Sequence, residues 1–198
     1  LDCGIKAHKE IAYAKEKGID FIVCDHHLPS EILPEACAVL DPKRLDSTYP
    51  YKELSGCGIG FKLITALQIY RNLPFEPLLE YLDLVAISIA ADVVPLMDEN
   101  RVLAYYGLKK INRQPRAGLE AILSYANVKH EERISDKLYF NRELTLSDLV
   151  FLIGPRINAA GRMESGRLSV ELLKAQKMAD AVEVAAKIEE HNKERKKK

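Results

Sequence analysis

Phe21-Ile22-Val23-Cys24-Asp25-His26-His27-Leu28-Pro29-Ser30 is the stretch that decides the fold. An apolar run stops abruptly at one acid and two imidazoles, and turn residues follow. Such a run predicts a buried parallel strand that delivers polar side chains at its carboxyl end. In open α/β sheets, ligands bind at that edge. Carboxylate oxygen there suits Mg2+ or Mn2+, and imidazole shifts the preference toward Mn2+ or Zn2+. Taken alone, the tripeptide equally describes a helix-capping aspartate beside two surface histidines. Its neighbours separate the two readings.

Upstream, Ile5, Ala7, Ile11, Ala12 and Ala14 make one face of a helix over 5–17, with charged residues opposite. Gly18 stands where a C-cap belongs. The strand then runs from Ile19 to Cys24. Before the helix, Asp2-Cys3-Gly4 reads as the end of an earlier strand. Strand, helix and strand make most of a βαβ unit, and its right-handed crossover puts Asp2 and Asp25 at one sheet edge. A second apolar run, Ala36 to Leu40, closes at Asp41-Pro42 and predicts the next strand.

Ser55-Gly56-Cys57-Gly58 precedes a helical pattern from Ile59 to Tyr70. Glycines before a helix can offer backbone N–H groups to phosphate, but close helix packing is the preferred reading of so short a motif. Residues 76–91 predict a buried helix, apolar nearly all round, that runs into Ala91-Asp92-Val93-Val94-Pro95. An aspartate among such neighbours is costly unless paired or metal-bound, which favours a functional Asp92 over a turn cap. Two short helices are expected over 100–111 and 118–125, and the charged stretch 129–143 is expected to cross the surface. After an apolar helix over 146–153 comes Gly154-Pro155-Arg156-Ile157-Asn158-Ala159-Ala160-Gly161-Arg162-Met163. Its small residues allow close backbone approach, while Arg156, Asn158 and Arg162 are donors suited to phosphate oxygens; Arg167 adds positive charge. Further helices are expected over 168–175 and 179–190, and the basic end is a solvated helix terminus.

Over 198 residues, 47% are apolar and 29% charged, and 29 basic residues balance 29 acidic ones. A globular α/β chain with a real core follows. No global field draws it to a polyanion, so any nucleic-acid site must be a local cluster. The four cysteines form no C-x-x-C pair, which favours reduced thiols in a cytoplasmic protein over disulfides or a zinc knuckle. No apolar stretch approaches the ~20 residues needed to cross a bilayer, so no membrane partner is expected. The opening at Leu1 without an initiator methionine reads as an internal piece of a longer protein.

Asp-x-Gly at residues 2–4, Asp-His-His at 25–27, Ser-Gly-x-Gly at 55–58, Ala-Asp-Val-Val-Pro-Leu at 91–96 and the block 154–163 resemble, in this order, the DHH phosphoesterases. The last two resemble its single-strand-specific exonucleases in particular. The resemblance spans the whole chain and implies a parallel sheet with flanking helices. It implies a partial α/β catalytic domain over 1–95, a helical continuation over 96–165, and the start of a long connecting helix over 166–198. It further implies two divalent ions, Mn2+ or Mg2+, that activate water against a phosphodiester. Asp2 would bridge both ions, with His26 and Asp92 as further ligands. Asp25 would orient its neighbours, and His27 would face the metals or the scissile phosphate. Arg156, Asn158 and Arg162 would hold the nucleotide backbone. The implied activity is 5′–3′ degradation of single-stranded DNA in repair and recombination, with a single-strand-binding protein and a helicase as further partners. The family's upstream Asp-x-Asp and its C-terminal DNA-gripping domain are missing from these residues, so the chain alone is expected to be inactive and prone to self-association. Two alternatives stay open: a phosphodiesterase of the same family acting on short oligonucleotides or cyclic dinucleotides, and a scaffold that binds nucleic acid without cutting it.

Overall fold

A computed structural model of the protein describes residues 1–131, 138–163 and 166–197, with backbone only for 159–163 and 196–197. The chain forms two compact units, Leu1–Tyr105 and Tyr106–Lys198.

In the first unit, helix α1 (His8–Glu16) leads into strand β1 (Ile22–Cys24), which pairs in parallel with β2 (Ala38–Leu40). Both strands are shorter than the predicted Ile19–Cys24 and Ala36–Leu40, and Ile19, Phe21 and Ile22 stay exposed while Val23 and Cys24 are buried. The register sets Val23 against Val39 and Cys24 against Leu40. A hydrogen bond from Asp25 N–H to the Leu40 carbonyl (3.0 Å) carries the ladder one residue further, to the Asp-His-His turn. Residues 1–4 do not extend as a parallel strand. Asp2 donates its N–H to the Cys24 carbonyl at 2.8 Å, an isolated bridge joins Cys3 and Cys24, and the chain turns away at once. The turn needs left-handed backbone at Asp2 (φ +62°) and Gly4 (φ +112°).

Helix α2 spans Gly56–Tyr70, so the glycines predicted to precede it lie inside it. Ser55 caps this helix, its side chain accepting from Gly58 N–H, which leaves packing rather than anion binding as the role of the glycines. The expected single helix over 76–91 is two pieces, a 3-10 turn (Glu76–Tyr81) and α3 (Leu82–Ala91). Pro77 lacks the N–H and fixes φ at the start, which fits it to a short tight turn. α2 packs on α3 and on β1, closing a core of Ile5, Ile11, Val23, Leu54, Ile59, Val85 and Ile89.

Helix α4 (Asp98–Arg113) begins in the first unit and ends in the second. The second unit continues with α5 (Ala117–Ser124), α6 (Leu146–Asp148), a π-turn (Leu149–Ile153), α7 (Gly154–Met163), α8 (Arg167–Lys174) and α9 (Met178–Lys197). The π-turn comes directly before Gly154-Pro155, where proline has no N–H to give the preceding turn. α9 packs against α5, α7 and α8. The described part of the charged stretch 129–143 runs along the surface as expected, with Phe140 buried as its anchor, and just beyond it Asn112 clamps the buried Leu144 by accepting from its N–H (2.7 Å) and donating to its carbonyl (2.9 Å). Residues 132–137 of that stretch lie outside the described residues.

Candidate metal centre

The Asp-His-His turn is built around Asp25, 1% exposed. Its Oδ2 accepts from Ile5 N–H (2.9 Å); its Oδ1 accepts from His26 N–H (2.8 Å) and His27 N–H (3.2 Å) and lies 2.7 Å from His27 Nδ1. Burial alone would push its carboxyl up, but these hydrogen bonds outweigh it and hold Asp25 below the usual carboxylate range. Asp25 is thus a fixed anion that ties β1 to the start of α1. Bonded at Nδ1, the His27 ring is left with Nε2 as its outward nitrogen.

Asp2 comes to this turn from the other end of the βα segment. His26 Nε2 lies 3.0 Å from Asp2 Oδ1. The His26 and His27 rings meet edge-on with centroids 4.5 Å apart. Ligand atoms of Asp2, His26 and His27 all lie within 4.8 Å of one another. Asp2 and His26 were expected as ligands, and His27 joins them in the cluster.

Asp92 is the C-cap of α3 and is exposed, so the expectation that it is set among buried apolar groups does not hold. An acid at a helix C-terminus opposes the macrodipole, so helix stability does not account for it. A relay orients it instead: Cys57 N–H donates to Ser88 Oγ (3.3 Å), and the Ser88 hydroxyl donates to Asp92 Oδ2 (3.1 Å). The next residue, Val93, has φ +53°, a true outlier for a β-branched side chain. Asn100 Nδ2 and Tyr51 OH both donate to the Pro95 carbonyl at 3.0 Å and pin the strained loop.

These groups fit a divalent cation. Burial pushes the Asp2 carboxyl up, the charge of Asp92 adds to it, and His26 and His27 pull it back. A carboxyl raised by burial and by a neighbouring acid, beside converging imidazoles, lacks a positive charge, which a bound cation supplies. At the end of β2, Asp41 accepts from Lys43 N–H (2.8 Å); its carboxyl too is pushed up, chiefly by burial.

Two contributors escaped the sequence reading, Ser88 and Asp41, while Gly56 reads there as a packing glycine without its partner. Gly56 stands where a Cβ would meet Asp2 Oδ1 at 2.1 Å. Ser88 was open to discovery, since it precedes Asp92 by one helical turn.

In the second unit the predicted phosphate contacts separate. Arg156 is 7% exposed, and its donors go to Glu189 (2.7 Å), the Leu152 carbonyl (2.7 Å) and the Tyr125 carbonyl (3.4 Å). A guanidinium so engaged ties α7 to α9, which is a different use from the expected grip on a nucleotide backbone. Asn158 is exposed on α7. Arg162 lies on the same helix, with its side chain outside the described residues. Arg167 is exposed and pairs with Glu171 at 2.7 Å.

Residues 1–89 match the DHH family's N-terminal domain. The single-stranded-DNA-specific exonuclease RecJ of Haemophilus influenzae is 41% identical over 99% of the chain, and that of Bacillus subtilis 40% identical over 100%. The chain spans 34% and 23% of those two proteins. A crystal structure of RecJ with Mn2+ from Thermus thermophilus superposes with a TM-score of 0.80 at 30% identity, covering 100% of this chain and 28% of that one. A second RecJ structure bound to manganese gives 0.80 at 31% identity, over 100% and 46%. Its first 89 residues thus match the DHH family's N-terminal domain, and its whole length is similar to part of the RecJ sequences and structures.

Proposed function

We propose that the protein is a metal-dependent exonuclease that hydrolyses single-stranded DNA from its 5′ end, with Asp2, His26 and Asp92 as ligands of Mn2+ or Mg2+. The observation that carries this reading is the convergence of Asp2, His26 and His27 within 4.8 Å at a sheet edge. Bound there, divalent ions would supply an activated water and stabilise charge on the scissile phosphate.

The chain's own residues do the positioning. Asp25 holds the turn and accepts the proton of His27 Nδ1, which leaves His27 Nε2 free to face the metals or the scissile phosphate. Ser88 aims Asp92, and Gly56 leaves room for Asp2. Asn158 and Arg162 hold the backbone of the strand, while Arg156 secures the helix that carries them. Single-strand-binding protein and a helicase keep the substrate open, and the cytoplasm is the compartment. Among the described residues no helix is long and apolar enough to cross a membrane.

The test is digestion, by the full-length protein with Mn2+, of a single strand, its duplex and short oligonucleotides, each labelled at either end. Release of mononucleotides from the 5′ end of the long single strand alone supports the reading. Exclusive cleavage of di- or trinucleotides would replace it with the short-oligonucleotide alternative.

A further inference from the structure

Two buried polar atoms at the carboxyl edge of the sheet have no hydrogen-bond partner: His26 Nδ1 and Asp41 Oδ2. The pairing of Cys24 with Leu40, extended by the bond from Asp25 N–H to the Leu40 carbonyl, brings Asp41 beside the Asp-His-His turn. Asp41 is 5% exposed, and only its Oδ1 is used, by Lys43 N–H at 2.8 Å. The capping of its own turn therefore explains one oxygen and leaves the other unexplained. On the imidazole, Nε2 faces Asp2 at 3.0 Å, so Nδ1 is the nitrogen turned from the candidate metal.

A histidine that ligates a metal through one ring nitrogen needs an acceptor for the N–H on the other, which fixes tautomer and ring plane. A buried acceptor without a donor and a buried ring nitrogen without a partner, at one sheet edge, answer each other's need. Buried sites of this kind are completed by a bridging water. We propose that Asp41 is the positioning residue for His26, its Oδ2 holding the Nδ1 proton of His26 through one buried water so that Nε2 keeps its lone pair for a divalent cation. This rests on the reading of His26 as a metal ligand.

Asp41→Asn separates the proposal from a merely structural role. Asparagine keeps the oxygen that accepts from Lys43 N–H but turns an N–H donor toward His26. Two measurements are made on full-length protein. The first is 15N–1H correlation of the histidine rings in the protein loaded with diamagnetic Mg2+, where the cation takes the place of the Nε2 proton that faces Asp2 Oδ1, and the second is Mn2+ titration followed by electron paramagnetic resonance. In the Mg2+-loaded wild type, His26 Nδ1 carries a proton that exchanges slowly; in Asp41→Asn that protected Nδ1 signal is lost, and Mn2+ affinity falls ~10–100-fold. A wild-type His26 with bare Nδ1 overturns the proposal and needs no variant. Unchanged Mn2+ affinity in folded Asp41→Asn overturns it as well. Failure of the wild type to bind Mn2+ instead removes the metal reading and the proposal with it.

Discussion

Gly56 is the seat of Asp2: a Cβ at that position would lie 2.1 Å from Asp2 Oδ1 and 2.7 Å from its Cβ. The first glycine of the Ser-Gly-x-Gly motif thus sets how close a candidate ligand can come to the helix that runs past it. Gly56→Ala forces Asp2 to move, and because Asp2 is exposed it can do so without unfolding its surroundings. The expected loss of stability is at most the ~1–3 kcal/mol of an overpacked site, whereas Mn2+ affinity falls at least tenfold. Thermal melts beside Mn2+ titrations check this. A variant with normal affinity would show that Asp2 is no ligand.

Val93 is 75% exposed yet held at φ +53° directly after Asp92. Glycine there relieves a left-handed strain of ~1–2 kcal/mol at little loss of burial. Val93→Gly is therefore expected to raise stability by about 1 kcal/mol and to loosen the loop that follows Asp92, lowering Mn2+ affinity. A rise in both stability and affinity would show that the strain serves no purpose at the site.

The pair of Arg156 with Glu189 predicts a split between stability and binding. Arg156→Ala leaves a buried carboxylate uncompensated and is expected to cost ~3–5 kcal/mol. Replacing both partners by apolar residues of similar volume restores most of that. In that double variant the slope of log affinity for single-stranded DNA against log salt stays as in the wild type. Arg162→Ala lowers that slope by ~0.7, the signature of one lost phosphate contact. A fall in slope in the double variant would return Arg156 to the DNA contacts.

Acid sensitivity has a clear direction at Asp148. The Arg142 guanidinium, at 2.6 Å, and the Thr145 backbone and hydroxyl hold its carboxyl well below the usual range. A depressed carboxylate contributes stability that is fully present above its unfolded pKa of ~4 and is lost as pH falls through the folded value. Carbon-detected titration should find Asp148 ionised at pH 3 in the wild type and shifted toward an ordinary aspartate in Arg142→Ala. An ordinary wild-type titration would contradict the pairing.

What the sequence made legible was what one short segment can carry. Four apolar residues before Asp25-His26-His27 were enough to place a parallel strand that ends at that turn. Asp92 was singled out on an expectation of burial that the exposed helix end does not meet; its significance lies in the Ser88 relay and the strain at Val93. Gly56, Ser88 and Asp41 act through contacts between segments far apart in the chain, which periodicity does not report. Arg156 looked like a phosphate ligand because its composition is the same either way, and only the nearness of Glu189 on another helix tells the two uses apart.

The most direct test of the central claim is Mn2+ binding by the full-length protein and by His26→Ala and Asp92→Asn, read by electron paramagnetic resonance, with circular dichroism to confirm the fold. Both variants are expected to stay folded, to lose Mn2+ affinity at least tenfold, and to stop degrading single-stranded DNA, because each removes a ligand from a fixed coordination geometry. Folded His26→Ala that binds Mn2+ as tightly as the wild type would place the metal elsewhere and contradict the account.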